Sequence, residues 1–191
     1  GYGGGDFTVR NNIVVFASEG RLYRQSLDGE RPKAITPKFG DLASPAISPD
    51  GSKILFVHSY ERRDCLAMVD AEGARWPIQL ATGADFYMQP AWHPDGQQIA
   101  WVEWNHPQMP WDGCRLILAH LNGAGLTEVK QIFGDEQTPV FQPEFSPDGR
   151  YLAFLANSGE WDSLRVLDLA TGQMRILVEN ASLLDPAWVQ G

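Results

Sequence analysis

Asp50, Asp95 and Asp148 recur in one short motif, Ser-Pro-Asp-Gly at Ser48–Gly51 and Ser146–Gly149 and His-Pro-Asp-Gly at His93–Gly96. Repeated carboxylates at matched positions raise the question of metal binding. The motif equally supplies turn chemistry at every position. Proline presets φ at about −65°, Asp bonds nearby backbone amides, and Gly accepts the left-handed conformation that follows. Such a turn joins two antiparallel strands as a type I turn with a glycine bulge. Aspartates on separate hairpins spaced around a ring cannot converge on one ion, so a scaffold role is expected and no metal.

Other reactive types are scattered. None of the serines sits in a Gly-x-Ser-x-Gly elbow, and His58, His93, His106 and His120 form no His-x-x-x-His pair. The Gly3–Gly5 run has neither the lysine nor the helix of a phosphate loop. Cys65 and Cys114 stand alone, without a Cys-x-x-Cys partner, and are expected as buried free thiols. No catalytic residue and no cofactor is expected in this chain by itself.

Those residues are positioned by a repeat. PAISPDGSKILFV, PAWHPDGQQIAWV and PEFSPDGRYLAFL begin at Pro45, Pro90 and Pro143, and a short PAWV begins at Pro186, giving intervals of 45, 53 and 43 residues. A period of about 40–45 residues built from short strands is that of β-propeller blades. Each copy reads as four strands. In the first these are Pro45–Ser48, Lys53–His58, Cys65–Asp70 and Ile78–Ala81. The second continues with Ile99–Trp104, Arg115–Leu121 and Val129–Phe133, the third with Tyr151–Ala156, Leu164–Leu169 and Met174–Val178. One more blade precedes them, from Phe7–Val9, Ile13–Ala17, Arg21–Leu27 and Lys33–Thr36.

The fold class is therefore all-β, a partial propeller of about four four-stranded antiparallel blades. Blades are expected at about 1–40, 41–84, 85–136 and 137–181, with 182–191 the first strand of another. The chain lacks an initiator Met, so its start is expected to be an internal cut, and PAWV to be an unfinished blade. An unfinished ring leaves strand edges and apolar faces uncovered, and self-association is expected.

Composition excludes several partners. With 15 Lys and Arg against 24 acids and a net charge of −9, no basic face for nucleic acid is expected. No apolar run reaches the ~18–20 residues of a membrane span. Free cysteines suit a reducing compartment, and a cytoplasmic location is expected.

The 53-residue interval is oversized, and the excess is EWNHPQMPWDG, Glu103–Gly113. In a propeller it shares a face with Ser59–Asp64 (SYERRD), Asn157–Asp162 (NSGEWD) and the links between blades. Aromatic and charged loops on such a face are where recognition resides. The substrate-facing candidates are Trp104, His106, Trp111, Asp112, Arg62, Arg63 and Trp161. Packing of Trp104 and Trp111 on a neighbouring blade is the alternative.

The Pro-x-x-Ser-Pro-Asp-Gly repeat resembles that of the periplasmic protein TolB and of prolyl oligopeptidase-type serine peptidases. YGGGDF at Tyr2–Phe7, RLYRQ at Arg21–Gln25 and WNHPQMPWDG at Trp104–Gly113 resemble one peptidase branch. That branch holds the bacterial acylaminoacyl-peptidase and dipeptidyl-aminopeptidase-like enzymes. The resemblance implies an N-terminal propeller that restricts access to a C-terminal α/β-hydrolase domain with a Ser-Asp-His triad. None of that domain lies in this chain, and neither does the family's glutamate before Tyr-Gly-Gly-Gly. Cys114 stands where the resemblance leads one to expect a small hydroxyl residue.

Three functions follow. The first is a substrate-gating portion of a serine exopeptidase, inactive alone, with a peptide substrate and its own hydrolase domain as partners. The second is a TolB-like protein-binding module, which would place the protein in the periplasm. The third is a propeller enzyme working from its central channel, for which Glu144 and His93 are the only inner-strand candidates.

Overall fold

The computed structural model describes residues 6–29, 31–123, 125–157 and 159–183. Sixteen strands form four four-stranded antiparallel sheets, each a simple meander, and no helix occurs among the described residues. The first sheet holds β1 (Phe7–Arg10), β2 (Ile13–Ser18), β3 (Arg21–Ser26) and β4 (Lys33–Ala34). The second holds β5 (Asp41–Ile47), β6 (Lys53–Tyr60), β7 (Arg63–Asp70) and β8 (Ile78–Ala81). The third holds β9 (Phe86–Trp92), β10 (Gln98–Trp104), β11 (Arg115–Asn122) and β12 (Gly125–Gly134). The fourth holds β13 (Val140–Phe145), β14 (Tyr151–Asn157), β15 (Asp162–Asp168) and β16 (Met174–Ala181). The protein is thus a partial β-propeller. The glycine run at Gly3–Gly5 and the PAWV copy lie outside the described residues.

Period-two side chains explain how the sheets stack. In β6, Ile54 and Phe56 join a buried cluster with Val15, Leu22 and Ile35 of the first blade. The alternate residues Leu55 and Val57 join Tyr87, Ile99 and Trp101 of the third. In β10, Ala100, Val102 and Trp104 face the fourth blade and meet Leu152, Phe154 and Ala156. Both faces of the second and third blades are therefore buried, and near-continuous apolar runs such as ILFV and IAWV follow. Among the described residues none of the buried clusters joins the fourth blade to the first.

The SPDG turns close as local chemistry dictates. The Gly51 amide donates to the Ser48 carbonyl (2.9 Å) and the Ser48 amide to the Lys53 carbonyl (2.8 Å). Ser48 Oγ donates to Asp50 Oδ1 (2.6 Å) and accepts from the Lys53 amide (2.9 Å), while the Ser52 amide and hydroxyl both donate to Asp50. These donors hold the Asp50 carboxyl down at about 2, the Ser48 hydroxyl contributing most. Ser146, Asp148 and Arg150 repeat the arrangement.

The inner strands β5, β9 and β13 each carry a bulge that the sequence did not announce. Ser44, Gln89 and Gln142, each just before the repeat proline, have φ of 50°, 50° and 52°. Residues before proline ordinarily stay extended. Here the ladder shifts register between Ala43 and Ala46 and between Phe141 and Glu144. Pairing then resumes on the far side, so β5 runs from Asp41 rather than starting at Pro45.

Candidate functional site

Two parts of the molecule gather polar and aromatic side chains: the face carrying the β6–β7, β10–β11 and β14–β15 connections, and the central hollow. On the first, Ser59–Asp64 is a tight hairpin rather than a loop. Strands run to Tyr60 and from Arg63, and Glu61 and Arg62 turn the chain with φ of 51° and 61°. Both φ are positive, as a type I′ turn requires. Likewise β14 extends to Asn157 and β15 starts at Asp162, so the NSGEWD connection is short. Arg62 and Arg63 are exposed and border a hollow of about 640 Å³ between this hairpin and the 82–85 link. Phe39, His58 and Tyr60 form its aromatic wall, Phe39 and His58 meeting edge-on at 4.4 Å.

The third blade's connection is built as a rigid loop. The Asp85 carboxylate accepts from the His106 amide (2.9 Å), and Asn105 Oδ1 accepts from the Asp85 amide (2.9 Å). The His106–Pro107 peptide is cis. Asp112 receives the Met109 amide on its carboxylate (2.9 Å) while its own amide donates back to the Met109 carbonyl (2.9 Å). Asp112 therefore closes the loop on itself.

Trp104 takes the packing alternative. It ends β10, is 4% exposed, stacks on Phe86 at 5.2 Å and borders a hollow of about 440 Å³. Its alternation with Val102 and Ala100 directs it inward. Trp111 and Trp161, by contrast, are half exposed, at 46% and 52%, and His106 is exposed.

Cys114 shows what the thiol does at its position. Its Sγ donates to the Val140 carbonyl (3.2 Å) and accepts the Val140 amide (3.0 Å), tying the third blade to the start of the fourth. Burial pushes this thiol up to about 12 and the Cys65 thiol to about 11, and both cysteines are free and buried.

The central hollow, about 450 Å³, is lined by all four inner strands. Arg10, Gln89, Trp92, Gln142 and Glu144 are among its walls. The Gln142 amide donates to Gln89 Oε1 (2.7 Å) and the Trp92 indole N–H to the Ala46 carbonyl (2.9 Å), so neighbouring blades are pinned across it. Glu144 is exposed within the hollow, and desolvation by the surrounding walls raises its pKa.

His93 does not line this hollow. It is buried at the junction of the third and fourth blades, with Nε2 2.8 Å from the Gly149 carbonyl and Nδ1 2.7 Å from Asp95 Oδ1. His93 and Glu144 are therefore no pair for catalysis. Among the described residues no group of three His, Cys, Asp or Glu could hold a metal ion. Asp50, Asp95 and Asp148 each serve their own turn. The sequence pattern missed the interblade roles of His93 and Gln89; the one visible sign was His93 replacing the serine of the other two turns.

Fold and site define a class, a partial β-propeller whose blades present loops and a central hollow, with no metal-binding cluster among the described residues. No family model matches the chain. The chain is 25% identical over 168 residues to a TolB homolog of Chlorobium luteolum, covering 86% of this chain and 36% of that protein. It is 27% identical over 145 residues to a tricorn protease homolog of Saccharolobus solfataricus, covering 76% and 12%. The chain thus spans about a third or less of the curated relatives it matches. Among solved structures, a Mycobacterium tuberculosis puromycin-hydrolyzing peptidase superposes with a TM-score of 0.78 at 24% identity, over 93% of this chain and 31% of that one. A puromycin hydrolase crystal structure gives 0.73 at 27% identity, over 86% and 28%. In sequence the chain is thus similar to TolB and tricorn protease homologs, and in sequence and fold to a puromycin hydrolase.

Proposed function

We propose that this chain is the non-catalytic, substrate-gating propeller portion of a serine exopeptidase of the acylaminoacyl-peptidase or dipeptidyl-aminopeptidase type. The observation that carries it is the likeness to puromycin hydrolase, at 27% identity over 86% of this chain. Hydrolysis belongs to an α/β-hydrolase domain outside the segment, acting by Ser-His-Asp acyl transfer on short peptides. The propeller contributes a rigid wall with half-exposed Trp111 and Trp161 and the exposed Arg62 and Arg63 on one face. Blade divisions near 40, 84, 136 and 181 and a cytoplasmic setting, which the two free thiols suit, belong to this reading. The test is kinetic. In the product of the complete gene, Trp111→Ala and Trp161→Ala should change KM and the length of peptide accepted, leaving kcat on a minimal aminoacyl substrate unchanged. Identical length selectivity in wild type and both variants would overturn the gating role of this face.

The likeness to the TolB homolog favours a second reading, a protein-binding propeller without enzymatic activity. A complete gene product with no hydrolase domain decides for it.

A further inference from the structure

One inward position breaks the repeat. Directly after the repeat proline stand Ala46, Ala91 and Glu144. They are structurally equivalent, pairing with Leu55, Ala100 and Ala153 at the same step of their ladders, beyond the bulge. All three line the central hollow. Alanine suffices for the fold at two of these positions, so a carboxylate at the third adds nothing to packing.

Nor does it add pairing. Among the described residues the Glu144 side chain has no hydrogen bond and no ion pair. Burial alone displaces its pKa, with no neighbouring donor or cation opposing it. Arg10 is the other charged lining residue, on the first blade, and the two form no salt bridge. Glu144 is exposed within the hollow, and a carboxylate open to solvent there and without a partner adds little to stability and is free to receive a cation.

We propose that Glu144 is the anchor of a binding site in the central hollow for the ammonium or guanidinium group of a short peptide. The free amide group of Gln142 and the polar walls are placed to accept or donate beside it. The volume, about 450 Å³, admits a terminal residue or one basic side chain rather than a folded partner. This goes beyond the gating proposal, because it requires neither a hydrolase domain nor turnover.

The test is an NMR titration of this chain with glycinamide (a terminal amine), N-acetyl-lysinamide and N-acetyl-argininamide (basic side chains), and neutral N-acetyl-glycinamide. A cationic probe should shift the Trp92 indole N–H and the Ala91 and Glu144 amides saturably, and the probe that does so identifies the source. The neutral probe should not. Glu144→Ala, the residue of the other two copies, and the isosteric Glu144→Gln should each weaken the shift about tenfold or more, the scale of one lost charge-assisted bond. Both variants should melt no lower than wild type. Acidification should abolish binding as the carboxylate is protonated. Equal shifts with the neutral probe, no saturable shift with any probe, or unchanged binding in Glu144→Gln would overturn the proposal.

Discussion

Three glycines at equivalent turns allow one substitution to be priced against two internal controls. Gly51, Gly96 and Gly149 have φ of 75°, 71° and 72°. Alanine in this left-handed region is disfavoured by about 1–2 kcal/mol, whatever surrounds it. The surroundings differ. A Cβ at Gly51 would meet Asn11 Nδ2 at 3.9 Å and one at Gly96 would meet Pro49 Cδ at 3.9 Å, both ordinary contacts. At Gly149 it would fall 2.6 Å from Cε1 and Nε2 of His93. The His93 ring would have to leave the Gly149 carbonyl and its edge-on contact with Phe145 at 5.1 Å. The lost hydrogen bond is worth about 1 kcal/mol and the ring contact about 0.5–1.5 kcal/mol. Gly149→Ala should therefore destabilise by about 3–4 kcal/mol, against about 1–2 kcal/mol for Gly51→Ala and Gly96→Ala. Urea unfolding with matched m-values measures all three. His93→Ser restores the Ser-Pro-Asp-Gly sequence and removes the ring. In that background Gly149→Ala should fall to the level of the controls, a coupling of about 2 kcal/mol. Equal losses at the three glycines, or no coupling, would refute the His93 bridge between blades.

Trp104→Ala should cost about 3–5 kcal/mol, as for a core aromatic, whereas Trp111→Ala and Trp161→Ala should stay within about 0.5 kcal/mol; denaturation midpoints separate the two classes. Cys65 and Cys114, with thiols pushed up to about 11 and 12 by burial, should resist a thiol reagent in the native state at mildly alkaline pH and both react in urea. Their raised pKa values favour the folded state below the unfolded thiol range, and that contribution should fade as pH climbs through it. Asp50, held at about 2, works in the opposite sense. Its contribution should be present at neutral pH and lost as pH falls toward 2, so Asp50→Asn and wild type should differ at neutral pH and converge in acid. Exposed Ile176, Leu177 and Val178 on the outermost strand β16 predict concentration-dependent association, read by light scattering at tens of micromolar, with a strictly monomeric species as the contrary result.

What was legible in the sequence was local. The SPDG turns follow from side chains bonding within five residues, and the second and third strands of each blade from uninterrupted apolar runs buried on both faces. Outer strands were harder. Gly125–Gly134 is largely exposed, so Thr127, Glu128, Lys130 and Gln131 give no apolar period, and the sequence shows only its Val129–Phe133 end. Inner strands were cut short because a residue before proline should not sit in the left-handed region, yet Ser44, Gln89 and Gln142 do. For Trp104 recognition and packing both stood open from its neighbours in WNHPQMPWDG, although period two from Ala100 through Val102 already pointed it into the core. His93 and Glu144 gain their surroundings from other blades, which no spacing along the chain reveals.

The most direct measurement is active-site labelling of this chain and of the complete gene product with a fluorophosphonate probe, alongside hydrolysis of aminoacyl and acyl-aminoacyl chromogenic substrates. A labelled, active complete protein beside an unlabelled, inactive chain is the expected result. Turnover by the pure chain, or a complete protein that neither labels nor hydrolyses, would contradict a propeller portion of a serine peptidase.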